Sequence, residues 1–90
     1  MMTLDQVVVF HEIVRLGSFK AAAAELNKTQ PAISFAIKKL EEEMNAELFD
    51  RSGYRPVLTP HGKMFFEKST RLIQGMEELE NQTQSFKNQE

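Results

Sequence analysis

Cysteine is absent. That removes a disulfide framework, a thiol nucleophile and thiolate metal ligation together, and it fits a reducing compartment. Histidine is nearly as scarce, with only His11 and His61. Without a carboxylate pair tied to an expected cleft, little remains from which to build an active site or a metal centre. Long apolar runs are missing as well. The longest, Val7–Phe10 and Ala21–Ala24, fall far short of the roughly 20 residues that cross a bilayer. The opening residues MMTLDQ carry no basic region of the kind that begins a signal peptide. Catalysis is not expected, nor is a cofactor, a metal or a membrane, and the cytoplasm is the default location.

What is present suits one modest domain of 90 residues, with 41% hydrophobic and 27% charged residues. The net charge of −2 argues against a polyanionic partner only until its distribution is read. Between Arg15 and Lys39 the charges are Arg15, Lys20, Lys28, Lys38 and Lys39 against Glu25 alone. Acidic residues gather later, at Glu41, Glu42, Glu43, Glu47 and Asp50 and again at Glu77, Glu78 and Glu80. An electrostatic footprint is local, and here it coincides with a motif.

That motif is Ser18–Met44. Phe19, Ala22, Ala23 and Leu26 form the stripe of a short amphipathic helix, Asn27-Lys28-Thr29 interrupts, and Ile33, Ile37, Leu40 and Met44 form a second stripe. Thr29 is placed to cap the second helix, and Pro31 sits in its first turn, where a missing N–H costs little. Two helices joined by so short a turn must cross steeply, which is the helix-turn-helix arrangement. The side of the second helix away from its stripe carries Pro31, Phe35 and Lys38, flanked by Ser34 and Lys39, with Thr29 and Gln30 at its start. Gln pairs well with adenine, Ser or Thr with several base edges, and an apolar side chain with a thymine methyl. Lys38 and Lys39 suit phosphates, and Lys28 in the turn is expected at the DNA as well. A merely solvated helix face accounts for Ser34, Lys38 and Lys39 without DNA, but an outward Phe35 needs a partner.

Upstream, Thr3-Leu4-Asp5-Gln6 has the form of a capping box and starts a scaffold helix with Leu4, Val7, Val8 and Val14 as its buried side, widened by Phe10 and Ile13. Gly17 ends it and Ser18 caps the next helix. His11 reads as structural. Beyond Met44, Asn45 or Ala46 should end the second motif helix. Leu48–Arg51 and Val57–Leu58, joined through Gly53, read as a short hairpin, with Pro56 confining it to an edge. A helix-turn-helix with such a hairpin is a winged helix, whose wing, 51–56, carries Arg51 and Arg55 toward a minor groove. Solvated hairpin arginines are the alternative for this stretch.

Thr59-Pro60 then opens a long helix. Phe65, Leu72, Leu79 and Phe86 recur every seventh residue, with Ser69, Met76 and Thr83 between them, an a/d seam weakened by two polar positions and by Gly75. So small a domain cannot cover that seam, so Phe65, Leu72, Met76, Leu79 and Phe86 are expected to pair two chains, while Met64 and Phe66 bind the helix to the domain. Gln84–Glu90 should fray, and the chain reads as the N-terminal part of a longer protein. The fold expected is mainly α with a small β-hairpin: a winged helix-turn-helix over 1–58 and a linker or dimerisation helix over 59–90.

Gly17-Ser18-Phe19, Ala22-Ala23, Gln30-Pro31-Ala32-Ile33-Ser34, Leu40-Glu41-Glu42-Glu43-Met44, Leu48-Phe49-Asp50-Arg51 and Leu58-Thr59-Pro60-His61-Gly62 together resemble the DNA-binding domain of LysR-type transcriptional regulators. The resemblance covers nearly the whole chain. It implies a homodimeric bacterial transcription regulator on a duplex site with two related half-sites, with helix 30–44 in the major groove. It also implies an absent C-terminal sensory domain and leaves room for higher oligomers and for RNA polymerase as a partner. By position, Thr29, Gln30, Pro31 and Ser34 would meet bases, Lys38 the backbone, and Arg51 and Arg55 the backbone and minor groove. The chain departs from the pattern at Lys20 and Ala21, and at Phe35 and Ala36, where polar or basic residues are common. Phe35 should therefore trade a polar contact for an apolar one. The rival from another class is a winged-helix protein-interaction module that binds no DNA.

Overall fold

Short side-chain caps set the boundaries of nearly every helix. In the computed structural model, which describes residues 1–87, α1 spans Leu4–Leu16, α2 Phe19–Glu25, α3 Gln30–Met44 and α4 Pro60–Lys87, with strands β1, Phe49–Asp50, and β2, Val57–Leu58. The Thr3 hydroxyl accepts the Gln6 N–H at 3.2 Å and the Gln6 side chain accepts the Thr3 N–H at 2.9 Å, a complete capping box. Ser18 caps α2 and Thr29 caps α3 in the same N3-directed way. At the other ends, Gly17 (φ 83°) and Asn45 (φ 52°) take the left-handed conformation that closes α1 and α3. Asn27 (φ 55°) does the same inside the turn between α2 and α3.

The three first helices pack around Phe10, Val9, Ile33, Ile37, Leu40 and Leu48, all fully buried. Ile33, Ile37 and Leu40 are 0% exposed, so the stripe expected on α3 is its core side. On α1 the buried arc is Gln6, Val7, Val9, Phe10 and Ile13. Leu4, expected inside, is exposed, and Val8 is only half-buried. At about 100° per residue both lie on the far side of the helix from Phe10 and Ile13, whereas Val9 falls on the covered side. An aromatic cluster joins the elements: Phe10 meets Phe49 at 5.4 Å, Phe65 at 5.0 Å and Phe66 at 6.4 Å between centroids. His11 stacks on Phe66 at 5.3 Å, a packing role.

β1 and β2 are antiparallel, pairing Phe49 with Leu58 and Asp50 with Val57. The hairpin is tied to the body at its base by Glu41, whose carboxylate accepts the backbone N–H groups of Leu48 (2.7 Å) and Phe49 (3.4 Å). Glu41 is thus a structural latch between α3 and the hairpin. The Thr59 hydroxyl donates to the Glu47 carbonyl at 2.6 Å and accepts the Gly62 N–H at 3.0 Å, which caps α4. Here α4 meets the hairpin so closely that a Cβ on Gly62 would lie 2.1 Å from the Leu48 carbonyl oxygen. Only glycine fits that approach.

The first turns of α4 join the core through Gly62, Phe65, Phe66 and Ser69. Phe65 is only 9% exposed against Phe10, so it belongs to the chain's own core and not to a contact between chains. Met64, expected to bind the helix to the domain, is exposed, because it faces away from the Phe65–Phe66 side. At about 1.5 Å per residue the 28 residues of α4 run roughly 42 Å, most of the molecule's 54 Å long axis. Beyond Ser69 the helix leaves the body, with Leu72, Leu79 and Phe86 exposed. It remains helical to Lys87, through the Gln84–Lys87 stretch where fraying is expected; 88–90 lie outside the described residues. No helix among the described residues is long and apolar enough to cross a membrane.

Candidate nucleic-acid interface

With its apolar stripe buried, α3 has one side left for a partner. Gln30, Pro31, Phe35, Lys38 and Lys39 are exposed there and Ser34 is half-exposed. Thr29 is exposed too, but its hydroxyl oxygen already accepts the Ala32 N–H at 3.2 Å. The cap leaves that hydroxyl its proton to donate, which narrows the contacts Thr29 offers.

The wing closes one side of this face. Asp50 Oδ1 accepts the Ser52 backbone N–H at 2.9 Å and the Ser52 hydroxyl at 2.7 Å, and this local turn bends the chain out of β1. Gly53, expected to supply the turn, has no left-handed φ; the Asp50 side chain does that work. Those hydrogen bonds, the side-chain one first, hold the Asp50 carboxyl below its ordinary value, with slight desolvation opposing. A depressed folded pKa means the turn is fully supported above the usual carboxylate range and loosens as pH falls through the lowered value. The Arg51 guanidinium lies 4.7 Å from the centre of the Phe19 ring, and Phe19 in turn packs on Phe49 at 5.5 Å. A cation over an aromatic face orients the arginine without neutralising it.

Between α2, α3 and the wing lies an open cleft of about 790 Å³, lined among others by Lys20, Gln30, Ser34, Arg51, Tyr54 and Arg55. The structure therefore brings Gln30 and Ser34 together with Arg51 and Arg55. It adds Lys20, which the sequence marks by its charge and by its departure from the family pattern, and Tyr54, which lies within the 51–56 wing. Tyr54 is 99% exposed, and its place between Arg51 and Arg55 was the available signal. Lys38 lies apart, lining a shallow depression with Glu41, Glu42 and Asn45.

Two cations do less than the charge count suggests. Lys28 reaches Asp5 of α1 at 3.4 Å, an exposed pair of the kind that costs little to break. Arg15 is bound by Glu12 and neighbours Glu25 at 3.8 Å. Its hydrogen bond and Coulomb attraction to Glu12, then the pull of Glu25, raise its pKa above the ordinary value. Lys20, Arg51 and Arg55, which line the cleft, make no such ion pair among the described residues.

This arrangement has close relatives. A family model for bacterial regulatory helix-turn-helix proteins of the lysR family matches residues 4–63. The chain belongs to the lysR family. Among curated lysR-like relatives, the uncharacterized HTH-type transcriptional regulator YeeY of Escherichia coli strain K12 is 42% identical over 79 residues, 88% of this chain and 26% of YeeY. The HTH-type transcriptional regulator YtlI of Bacillus subtilis strain 168 is 39% identical over 89 residues, 99% of this chain and 29% of YtlI. The chain thus spans about a quarter of the length of these relatives. The crystal structure of the BenM DNA-binding domain with catB site 1 DNA superposes with a TM-score of 0.87 at 30% identity, covering 93% of each chain. A full-length OxyR variant from Pseudomonas aeruginosa gives 0.85 at 26% identity, over 94% of this chain and 29% of that one. The winged helix-turn-helix with a long following helix is therefore the lysR-family fold.

Proposed function

We propose that this chain is the DNA-binding part of a transcription regulator and grips duplex DNA as a homodimer. In this reading α3 enters the major groove, where Gln30, Pro31 and Ser34 meet base edges, while Thr29 donates its remaining hydroxyl proton. Lys28 and Lys38 meet phosphates. Arg51 and Arg55 on the wing reach the neighbouring backbone and minor groove, joined by Lys20. The observation that carries the reading is the convergence of Gln30 and Ser34 with Arg51, Arg55 and Lys20 on one open cleft beside an unburied helix face. Likeness to a BenM domain crystallised with DNA supports it.

Two copies pair through the far part of α4, by Leu72, Met76, Leu79 and Phe86, and the DNA carries two related half-sites a whole number of turns apart. The complete protein works in the cytoplasm, with a sensory domain following α4; higher oligomers and RNA polymerase are its further partners. Membership of a family of transcription regulators speaks against an enzyme.

Fluorescence anisotropy at several salt concentrations tests the division of labour. Gln30→Ala or Ser34→Ala should cost about 1–3 kcal/mol and relax sequence preference, whereas Arg55→Ala should weaken binding evenly and reduce the salt slope by about 1. Identical behaviour of the two classes would refute that division. Absence of salt-dependent binding to any duplex would favour a protein-interaction module instead. Leu72→Glu should give monomers in light scattering, and an unchanged mass would remove the pairing claim.

A further inference from the structure

Phe35 is 68% exposed on the outer side of α3, one turn after Pro31 and followed at the next turn by Lys38 and Lys39. The fold has no use for it there. The core side of α3 is complete with Ile33, Ile37 and Leu40 fully buried, and no ring of the aromatic cluster touches Phe35. It is also the only exposed large apolar side chain on this helix among the described residues. Its surroundings specify the occupant. No acidic residue occurs from Gln30 to Leu40, and the charges within about one turn of Phe35 on α3 are Lys38 and Lys39, with Glu42 a further turn along; the cleft beside Gln30 and Ser34 adds Lys20, Arg51 and Arg55. That setting fits a polyanion that offers a small apolar group to a helix lying against it. Duplex DNA does so at one place, the C5 methyl of thymine in the major groove.

Resting on the DNA-binding reading above, we infer that Phe35 reads a thymine methyl, so that site preference depends there on an apolar contact and not on a hydrogen bond. Phenylalanine has no donor or acceptor to offer a base edge, which leaves shape and methyl burial as its means of discrimination. Uracil keeps every hydrogen-bonding group of thymine and lacks only the methyl, so it isolates the contact.

The test begins with a duplex selected by the 90-residue chain from a random pool. That duplex is resynthesised with deoxyuridine replacing each thymidine in turn, and binding is titrated by anisotropy at fixed salt. Loss of one buried methyl should weaken wild-type binding about threefold to fivefold at one position in each half-site. Phe35→Gln, at an exposed site that leaves the core intact, should still bind but lose the difference between thymidine and deoxyuridine at that position. Phe35→Leu should retain part of it. Where the thymidine is replaced by deoxycytidine, 5-methylation of that cytosine should recover about the same factor in wild type alone. Indifference of wild type to deoxyuridine at every position would overturn the inference while leaving DNA binding intact. A deoxyuridine penalty that persists in Phe35→Gln would assign the methyl to another side chain and overturn it as well. If no duplex is bound at all, the DNA-binding reading falls and takes this one with it.

Discussion

The two halves of α4 share one heptad period and put it to opposite uses. In the near half, Gly62, Phe65 and Ser69 are buried within the chain's own body. In the far half, Leu72 (49%), Leu79 (65%) and Phe86 (72%) stand exposed on a helix that has outrun that body. Ser69 makes the contrast plain. As a polar residue in a zipper it is a flaw, yet here it is 3% exposed with its hydroxyl donating to the Phe66 carbonyl at 3.0 Å. A seven-residue repeat therefore reports that one side of a helix will be covered, without reporting by what.

Substitutions in the near half should act on folding. Phe65→Ala removes a ring in edge contact with Phe10 and should cost about 3–5 kcal/mol in urea unfolding, independent of protein concentration. A loss under about 1 kcal/mol would mean that Phe65 is not core. Gly62→Ala drives a methyl into the Leu48 carbonyl and should cost about 1–3 kcal/mol by forcing α4 away from the hairpin. Thermal melts of that variant should show a lower midpoint, and an unchanged midpoint would deny the close approach. Ser69→Leu separates the two views most directly. A zipper position would gain stability from leucine, whereas a site closed by the chain's own body should lose roughly 1 kcal/mol to overpacking.

What could be read in advance follows from how far each interaction reaches. The caps at Thr3, Ser18 and Thr29 and the left-handed stops at Gly17 and Asn45 act within a few residues, so the sequence around them contains both partners. The Ile33–Ile37–Leu40 stripe was legible for the same reason, since its spacing is its evidence. Glu41 was not. It looks like one acid among several, and its role depends on two backbone N–H groups delivered by a turn seven residues later. Lys20 and Tyr54 were missed as cleft residues because only folding brings α2 against the wing. Arg15 was over-counted because its partner Glu12 sits one turn back, outside the stretch that is basic by count. The arc of α1 was misjudged because Val7–Phe10 is apolar all round, and such a run gives no phase.

The far half of α4 should respond in the opposite way, and more quietly. Leu79 is 65% exposed and lies outside the core, so Leu79→Glu removes no core contact and should change the stability of the winged body by no more than about 0.5 kcal/mol. Its effect should appear in how stability depends on concentration. If two chains pair along this stretch, the wild-type melting midpoint rises with protein concentration, because pairing stabilises the folded form by mass action. Leu79→Glu places two charges across that seam, and the rise should flatten toward zero while the midpoint at the lowest concentration stays where it was. Phe65→Ala should do the reverse, lowering the midpoint at every concentration. Equal slopes in wild type and Leu79→Glu would mean that the exposed half of the repeat is not where the chains meet, and the contrast between the halves would reduce to one of burial alone.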